Sequence, residues 1–166
     1  MSSISVLILM GSDSDAPVMQ AAVDVLREFD VPCEMTVASA HRSPERVMRL
    51  VSEAPGRGVR LFIVGAGAAA HLGGVVAAHT TLPVIGVPID SSALKGMDAL
   101  LSTVQMPPGV PVATVSIGKP GATNAGVLAV QMLALADASL ADRLTQYKKK
   151  LADKVEQAAA RLHERP

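Results

Sequence analysis

A short polar stretch in the first third of the chain carries the residue types best suited to acid–base chemistry. Residues 39–44 read Ser-Ala-His-Arg-Ser-Pro and follow a run of strand length. Histidine gives and takes protons near neutral pH, which makes His41 the candidate acid and base. Arg42 beside it offers a fixed cation for a phosphate or a carboxylate. This stretch is therefore predicted to be a reaction centre for an anionic small molecule.

A second polar segment follows the first apolar run of the chain. Residues 11–15 read Gly-Ser-Asp-Ser-Asp and precede a helical pattern, whose N-terminus favours an anion. Ser12 offers a hydroxyl donor, and Asp15 offers an acceptor suited to sugar hydroxyls. The alternative is that Ser14 and Asp15 only cap the helix, but the neighbouring polar loops favour a binding site.

A third segment, residues 65–70, reads Gly-Ala-Gly-Ala-Ala-Ala and fits the spacing of a dinucleotide-binding fingerprint, with Asp90 near the position of a ribose-binding acid. That fingerprint normally follows the first strand of its fold, whereas here it follows the third. The more economical interpretation is that the glycines, Gly67 among them, let the backbone approach a small ligand closely. His71 comes next, and the sequence leaves open whether it reaches the same crevice or is a structural histidine.

The polar segments lie between apolar runs that alternate with helical patterns. Strands are predicted at residues 4–10, 32–38, 59–64, 82–89 and 112–117, and helices at 17–29, 44–54, 71–80, 93–104, 122–136 and 139–164. This alternation predicts an α/β fold, a three-layer α/β/α, flavodoxin-like domain with a parallel five-stranded sheet in the order 2-1-3-4-5. In that order the three polar segments leave the carboxyl ends of neighbouring strands, so they converge on one crevice.

The last predicted helix is too long for one face of such a sheet. Apolar residues run down it as a single stripe, formed by Leu140, Leu144, Tyr147, Leu151, Val155, Ala158 and Leu162. We therefore expect residues 1–136 to form the α/β domain and residues 137–166 to form a C-terminal helix that packs on a neighbouring subunit. The alternative is a helix that folds back along its own domain.

Composition limits the partners of the chain. Apolar residues make up 49% of its 166 residues and charged residues 18%, below the share of about 25% typical of soluble domains, which favours a homo-oligomer with buried subunit contacts. A net charge of zero and only three aromatic residues argue against nucleic-acid binding. No apolar run reaches the roughly 18 residues of a membrane span, and the N-terminus lacks the features of a signal peptide, so a cytoplasmic protein is expected.

Metal and thiol chemistry are not expected either. Cys33 is the single cysteine, so the sequence predicts no disulfide framework and no thiolate metal site. Three of the histidines, His41, His71 and His79, have no carboxylate or cysteine at ligand spacing. The residues alone thus predict a small phosphorylated metabolite, handled by histidine acid–base chemistry without metal or ATP.

At its polar segments the sequence resembles the class I N5-carboxyaminoimidazole ribonucleotide mutases of bacterial purine biosynthesis, the PurE family. The resemblance spans about residues 4–136 and rests on four runs: Gly11-Ser-Asp-Ser-Asp15, Ser39-Ala-His-Arg-Ser-Pro44, Gly65-Ala-Gly-Ala-Ala-Ala-His-Leu-Gly-Gly74 and Val104-Gln-Met-Pro-Pro-Gly-Val-Pro111. It implies a flavodoxin-like domain, no cofactor, and a homo-octamer whose C-terminal helices reach neighbouring subunits. The reaction of that family moves a carboxylate from the exocyclic nitrogen of an aminoimidazole ribonucleotide to a ring carbon.

The resemblance also implies roles for the residues of these runs. His41 would be the proton shuttle, acting first as an acid and then as a base. The ribose and the phosphate would be held by Ser12, Asp15 and Arg42. The pocket for the carboxylate and the carbon dioxide would be lined by Ser39, Gly67 and His71.

Two departures from the usual family pattern lie in the third run. Ala68 stands where the family usually has a second glycine, and its methyl group either shrinks the pocket or opposes a positive φ. Gly73 stands where the family usually has proline, which removes a rigid entry into the following helix. Ser43, in the second run, replaces the more usual threonine, a conservative change because both residues cap helices.

Two other functions stay open at this stage. The related carboxylase class uses free carbon dioxide and aminoimidazole ribonucleotide, but after the histidine it normally carries lysine where this chain reads Arg42-Ser43-Pro44. A non-catalytic nucleotide-binding module is the second alternative. Between the two enzymes, the motif after the histidine favours the mutase.

Overall fold

A parallel five-stranded sheet organises the first part of the chain in the computed structural model, which describes residues 4–163. The strands are β1 (Val6–Met10), β2 (Cys33–Val37), β3 (Leu61–Gly67), β4 (Val84–Ile89) and β5 (Ala113–Thr114). Their order is β2-β1-β3-β4-β5, and every neighbouring pair is parallel. The predicted flavodoxin-like order is thus confirmed.

Helices alternate with the strands and then follow them. Those in the described residues are α1 (Ala16–Glu28), α2 (Pro44–Glu53), α3 (Leu72–Ala78), α4 (Met97–Val104), α5 (Gly118–Ala134) and α6 (Ala138–His163). Short 3₁₀ turns precede α1 at Asp13–Asp15 and follow α2 at Pro55–Arg57. Both α1 and α2 have a proline in the first turn, where its missing N–H would have no partner within the helix.

The chain divides into two compact units at the Ala129–Val130 bond. In the first unit, β1 and nearly all of β3 are buried on both faces, which explains their continuous apolar runs. On one face, side chains of the central strands pack in a core with α2, α3 and α4. On the other face, Met19 of α1 lies against Gly65 of β3, and Gly126 of α5 lies against Val25 of α1. Helices therefore cover both faces of the sheet, as the predicted three-layer fold requires.

The second unit contains the end of α5 and α6. Asp137 caps α6, because its carboxylate accepts hydrogen bonds from the amides of Ser139 and Leu140 and from the Ser139 hydroxyl. These bonds, that of the Ser139 hydroxyl foremost, lower the pKa of Asp137. Four apolar residues of the predicted stripe are exposed on α6: Leu151, Val155, Ala158 and Leu162. The predicted end of this helix at Glu164 lies outside the described residues, and its packing on a neighbouring subunit stays a prediction.

Every strand begins one or two residues later than predicted, and three strands differ further. β3 ends three residues later than predicted, at Gly67, because Met10 of β1 pairs with Gly65 and Ile89 of β4 pairs with Gly67. β5, at one edge of the sheet, keeps only Ala113–Thr114. β2, at the other edge, is half-exposed throughout, and its Cys33 is half-buried. Burial still raises the pKa of its thiol.

The helices of the described residues agree with the absence of a membrane span expected from the sequence. None of the helices in residues 4–163 is long and apolar enough to cross a bilayer. Residues 1–3 belong to the stretch that was expected to lack a signal peptide, and they lie outside the described part of the chain.

Candidate functional site

The three polar segments meet at the carboxyl ends of β1, β2 and β3 around a cavity of about 340 Å³. These strands are neighbours in the sheet, so their following loops are brought together as the strand order predicts. The cavity is lined by all seven residues singled out in the sequence: Ser12, Asp15, Ser39, His41, Arg42, Gly67 and His71. All of them belong to the first unit of the chain.

Two histidines face each other in this cavity. The Nε2 atom of His41 lies 2.7 Å from the Nδ1 atom of His71, and the rings meet edge to face with their centroids 4.8 Å apart. One nitrogen must donate and the other must accept, so the pair holds one hydrogen between them. Both side chains are exposed, so a ligand in the cavity can reach either ring. His71 therefore reaches the crevice, which the sequence had left open.

The loop that carries His41 is held by hydrogen bonds within itself. The Ser39 hydroxyl accepts from the amide of Arg42 at 3.2 Å and from its Nε at 3.4 Å. Ser43 occupies the N-cap position of α2, as predicted, but its side chain makes no capping bond. Its hydroxyl instead lies 3.4 Å from the amide and 3.3 Å from the carbonyl of Ser39. These short-range contacts fix the backbone from which the His41 side chain extends.

Two arginines join this loop to its surroundings. Arg42 donates from Nη2 to the carbonyl of Gly11, 2.9 Å away, and so links the loop after β2 to the loop after β1. Its guanidinium has five donors, so donors remain for an anion. Arg46 donates to the Val37 carbonyl at 2.8 Å and to the Thr36 hydroxyl at 3.0 Å, which holds α2 against the end of β2. Arg42, which lines the cavity, is placed to contact a ligand there.

Asp15 is a buried carboxylate of the site, with 6% of its surface exposed. Burial raises its pKa, against the opposing effects of hydrogen bonds from the Ser12 backbone and from Ser14 and of the nearby Arg42 charge. Its side chain makes no capping bond to α1, whereas the Ser12 hydroxyl accepts from the Ser14 amide at 3.3 Å and caps the 3₁₀ turn. The alternative that Ser14 and Asp15 only cap the helix therefore does not fit Asp15, and the side chain that caps the 3₁₀ turn is that of Ser12.

The glycines of the third segment lie close to side chains of neighbouring elements. Gly65 and Gly67 belong to β3. A Cβ atom on Gly67 would lie 1.8 Å from Oγ of Ser91, and one on Gly65 would lie 2.5 Å from Sδ of Met19. A dinucleotide fingerprint needs its glycines in the turn between strand and helix, so this arrangement removes the main support for dinucleotide binding.

Ala68 has an unusual backbone conformation. Its φ is +49°, in the left-handed region that glycine adopts freely and that costs other residues about 1–2 kcal/mol. Its side chain is exposed, and it lies outside the cavity lining. Of the two effects expected from this departure from the family pattern, the structure therefore favours backbone strain over a smaller pocket.

Two serines that the sequence did not assign to a ligand also line the cavity. Ser14, a helix cap only in the alternative interpretation, lies in the same turn as Ser12. Ser91 follows β4 and lies against Gly67. The strand order contained the signal for Ser91, since β4 borders β3 and its following loop must lie beside the same cavity. Asp90, the candidate ribose acid of the dinucleotide interpretation, is not among the lining residues.

The arrangement combines a proton-carrying pair, a cation and a buried carboxylate. The histidines can move a proton to or from a ligand, Arg42 can bind an anion, and Asp15 can accept from hydroxyl groups. Among residues 4–163, no three histidine, cysteine or carboxylate side chains are close enough together to hold a metal ion. This set of groups suits a small anionic metabolite that carries hydroxyls.

Known proteins resemble this chain along nearly its whole length. The family model described as AIR carboxylase matches residues 5–154. The chain is 57% identical over 139 residues to the N5-carboxyaminoimidazole ribonucleotide mutase of Bacillus subtilis, which covers 84% of this chain and 86% of that protein. It is 52% identical over 155 residues to the phosphoribosylaminoimidazole carboxylase of Candida glabrata, which covers 93% of this chain and 27% of that protein. The crystal structure of Treponema denticola PurE matches with a TM-score of 0.85 at 30% identity, covering 95% of this chain and 97% of that one.

Proposed function

Because this chain belongs to the AIR carboxylase family, we propose that it is an N5-carboxyaminoimidazole ribonucleotide mutase. The enzyme is an isomerase of de novo purine biosynthesis, converting N5-carboxyaminoimidazole ribonucleotide to 4-carboxy-5-aminoimidazole ribonucleotide. The observation that carries the proposal is the 57% identity to the B. subtilis mutase over most of that protein's length. The cavity supports it by supplying a proton carrier, an anion site and contacts for a sugar. We place the activity in the cytoplasm, where nucleotide precursors are made.

We propose that His41 moves the proton in this reaction. The bond between the exocyclic nitrogen and its carboxylate breaks, carbon dioxide leaves, and the nitrogen takes a proton from His41. The nucleophilic ring carbon then attacks the carbon dioxide, and the neutral His41 removes the proton from that carbon. One residue serves as acid and then as base, so the protons balance over the cycle.

Retention of the carbon dioxide is the second requirement. We propose that it is held in a space lined by Ser39, Gly67 and His71. The support is that all three line the same cavity as His41, and that Gly67, without a side chain, leaves room for a small molecule. Holding carbon dioxide against the ring makes its recapture nearly unimolecular, and well-oriented reactions of this kind reach effective molarities of about 10⁵–10⁸ M.

The contact between the histidines supports a role for His71 before the substrate binds. At 2.7 Å the two nitrogens share one hydrogen, which restricts the imidazole of His41 to orientations that keep the contact. The hydrogen bond that one ring nitrogen makes also decides which nitrogen carries the proton. We propose that His71 in this way presents His41 to the substrate in a defined orientation.

We propose that the ribose and the phosphate are held by Ser12, Asp15 and Arg42. Arg42 lines the cavity and has donors for a phosphate beyond the one that contacts Gly11. Asp15 is buried, so the ribose hydroxyls would replace part of the hydration that its carboxylate has lost. We propose that the protein binds a small ribonucleotide and uses no cofactor, and that neither a nucleic acid nor a membrane is its partner.

We further propose a homo-octamer in which residues 137–166 pack on a neighbouring subunit. Exposed apolar side chains on α4 support a subunit contact, because Met97 and Leu101 are each 51% exposed and Val104 is 47% exposed, at the spacing of one helix face. The exposed stripe on α6 supports a second contact. Removal of residues 139–166 should lower the mass of the assembly measured by light scattering. An unchanged mass would contradict the role given to α6.

The test of the function is product formation from N5-carboxyaminoimidazole ribonucleotide by the purified protein, without ATP, metal or added bicarbonate. The ring-carboxylated product should accumulate above the background measured without protein. A rate equal to that background would reject the mutase.

The description of the matching family and the name of the C. glabrata relative favour one alternative, a carboxylase that takes free carbon dioxide and aminoimidazole ribonucleotide. That enzyme would form product from aminoimidazole ribonucleotide plus bicarbonate and not from the N5-carboxylated substrate. A nucleotide-binding module would turn over neither substrate. The two assays run side by side therefore separate all three functions.

A further inference from the structure

The segment between β3 and α3 carries His71 and contains no regular secondary structure. It spans residues 68–71, beginning with the left-handed Ala68. One of its amides bonds within the segment, that of His71 to the carbonyl of Ala69 at 2.9 Å. The other backbone groups must find partners elsewhere if the segment is to keep one conformation. The position of His71 therefore depends on what holds this segment.

Ser102 of α4 supplies such a partner. Its hydroxyl oxygen accepts a hydrogen bond from the amide of Ala70 at 3.1 Å and lies 3.3 Å from the carbonyl of Ala68. The hydroxyl has one hydrogen to donate, and the carbonyl of Asp98 is nearer to it, at 2.8 Å. Donation to Asp98 orients the hydroxyl and leaves a lone pair for the Ala70 amide. The bond that Ser102 accepts is thus the one that ties the segment to α4.

We propose that Ser102 is a positioning residue of the mutase and that it acts through His71. Ala70 is buried and directly precedes His71, so the bond from its amide to α4 sets where His71 lies. His71 in turn meets His41 at 2.7 Å. The expected effect on turnover rests on the proposed function, because it requires His41 to be the proton carrier.

The neighbouring residue provides a matched control. Thr103 donates to the carbonyl of Ala99 at 2.7 Å, a bond to the preceding turn like the one from Ser102 to Asp98, and this bond stays within α4. Thr103→Val removes a hydroxyl from the same helix and keeps the branched shape of the side chain. Ser102→Ala removes the hydroxyl that reaches the segment, and alanine favours the helix, so α4 is expected to stay folded.

Steady-state kinetics on the full-length variants form the first measurement. Ser102→Ala should lower kcat roughly tenfold with little change in KM, because a misplacement of about 1 Å can cost on the order of 100-fold. A loss in kcat without a change in KM marks an interaction that matters in the transition state and not in binding. Thr103→Val should leave both constants near those of the wild type. Equal losses in the two variants, or wild-type kcat in Ser102→Ala, would overturn the proposal.

The second measurement does not depend on the reaction. Crystal structures of both variants report the distance between Nε2 of His41 and Nδ1 of His71, which should exceed about 3.5 Å in Ser102→Ala and stay short in Thr103→Val. If the wild type shows no mutase activity, the proposed function fails while this distance still tests Ser102. If the distance is unchanged in Ser102→Ala, the positioning role fails whatever the activity.

Discussion

The two loops that bring His41 and His71 together are held in different ways. The loop after β2 is held mostly from within, since Ser39 bonds to Arg42 and Ser43 inside one turn, and Arg42 adds one bond to the Gly11 carbonyl of another loop. The segment after β3 is hydrogen-bonded to Ser102 of α4 and begins with Ala68, whose φ is positive. A contact of 2.7 Å thus joins one histidine fixed mostly by its own sequence neighbours to one fixed by a residue of another helix. Substitutions in each loop should reveal that asymmetry.

Separate replacement of the two histidines should give the largest effect, a much greater loss of kcat for the histidine of one loop than for that of the other. His41→Asn removes the proposed proton carrier, so kcat should fall by about 10²–10⁴-fold, the range of general acid–base catalysis. His71→Ala keeps the carrier but removes its partner and should cost roughly tenfold. Initial rates, with calorimetric binding of the product as a check on the site, measure both. Equal losses would mean that the two loops contribute alike, and lost binding in His41→Asn would mean that this residue mainly holds the ligand.

Glycines at the ends of two neighbouring strands should respond differently to a methyl group. Gly67→Ala places a Cβ 1.8 Å from Oγ of Ser91, and overpacking of this kind should lower the free energy of unfolding by about 1–3 kcal/mol. Gly11→Ala is the control, since no atom lies within 4 Å of its added Cβ. Adding Ser91→Gly to Gly67→Ala should restore much of the loss in urea unfolding. Without that recovery, the close contact between these two residues would not be the cause.

Ala68→Gly should relieve strain in the segment after β3. Glycine adopts a positive φ freely, so the free energy of unfolding should rise by up to about 1 kcal/mol, and turnover should be kept or improved. The adjacent Ala69→Gly is the matched control, because Ala69 does not have a positive φ. Glycine there should lower the free energy of unfolding by about 0.4–1 kcal/mol. Thermal and urea unfolding measure both variants. A large loss of turnover in Ala68→Gly would show that the methyl group itself is needed.

The smallest effect is electrostatic and involves the loop after β2 through Arg42. Burial raises the pKa of Asp15, so the folded state binds this proton more tightly than the unfolded state does. The free energy of unfolding of the wild type, relative to Asp15→Asn, should therefore fall as the pH rises from below 3.8 through the raised pKa.

The Arg42 charge opposes that shift, so the same fall should be larger and extend to higher pH when Asp15→Asn is compared in an Arg42→Gln background. Urea unfolding from about pH 3 to pH 7 measures both differences. An opposite trend in the wild-type comparison would mean that the hydrogen bonds of Ser12 and Ser14 to Asp15 outweigh its burial.

Much of the fold was predictable because its signals are local. Alternating strand and helix patterns, with glycine and proline between them, fixed the five strands and hence which loops are neighbours. The resulting strand order predicts that Ser12, Asp15 and His41 share one crevice, and all three line the same cavity. The length of β3 was not predictable in this way, because it is decided by pairing partners in other strands.

The parts of the site that the sequence missed depend on distant residues. Ser91 lines the cavity because β4 borders β3, and Ser102 holds the segment of His71 from another helix. Neither residue carries a motif of its own. The side chain of Ser43 was also misjudged, since its position in sequence predicts a cap and its hydroxyl turns to Ser39. Local patterns locate a loop, and tertiary contacts decide how it is held.

The helix α4 contacts the segment of His71 with one side and exposes apolar side chains on another. One side carries the Ser102 hydroxyl, which accepts a hydrogen bond from the segment of His71. The other side exposes Met97, Leu101 and Val104. In the proposed octamer, a neighbouring subunit in contact with those apolar side chains would also hold α4 in place. Turnover per chain should then fall when the protein is diluted enough to separate its subunits.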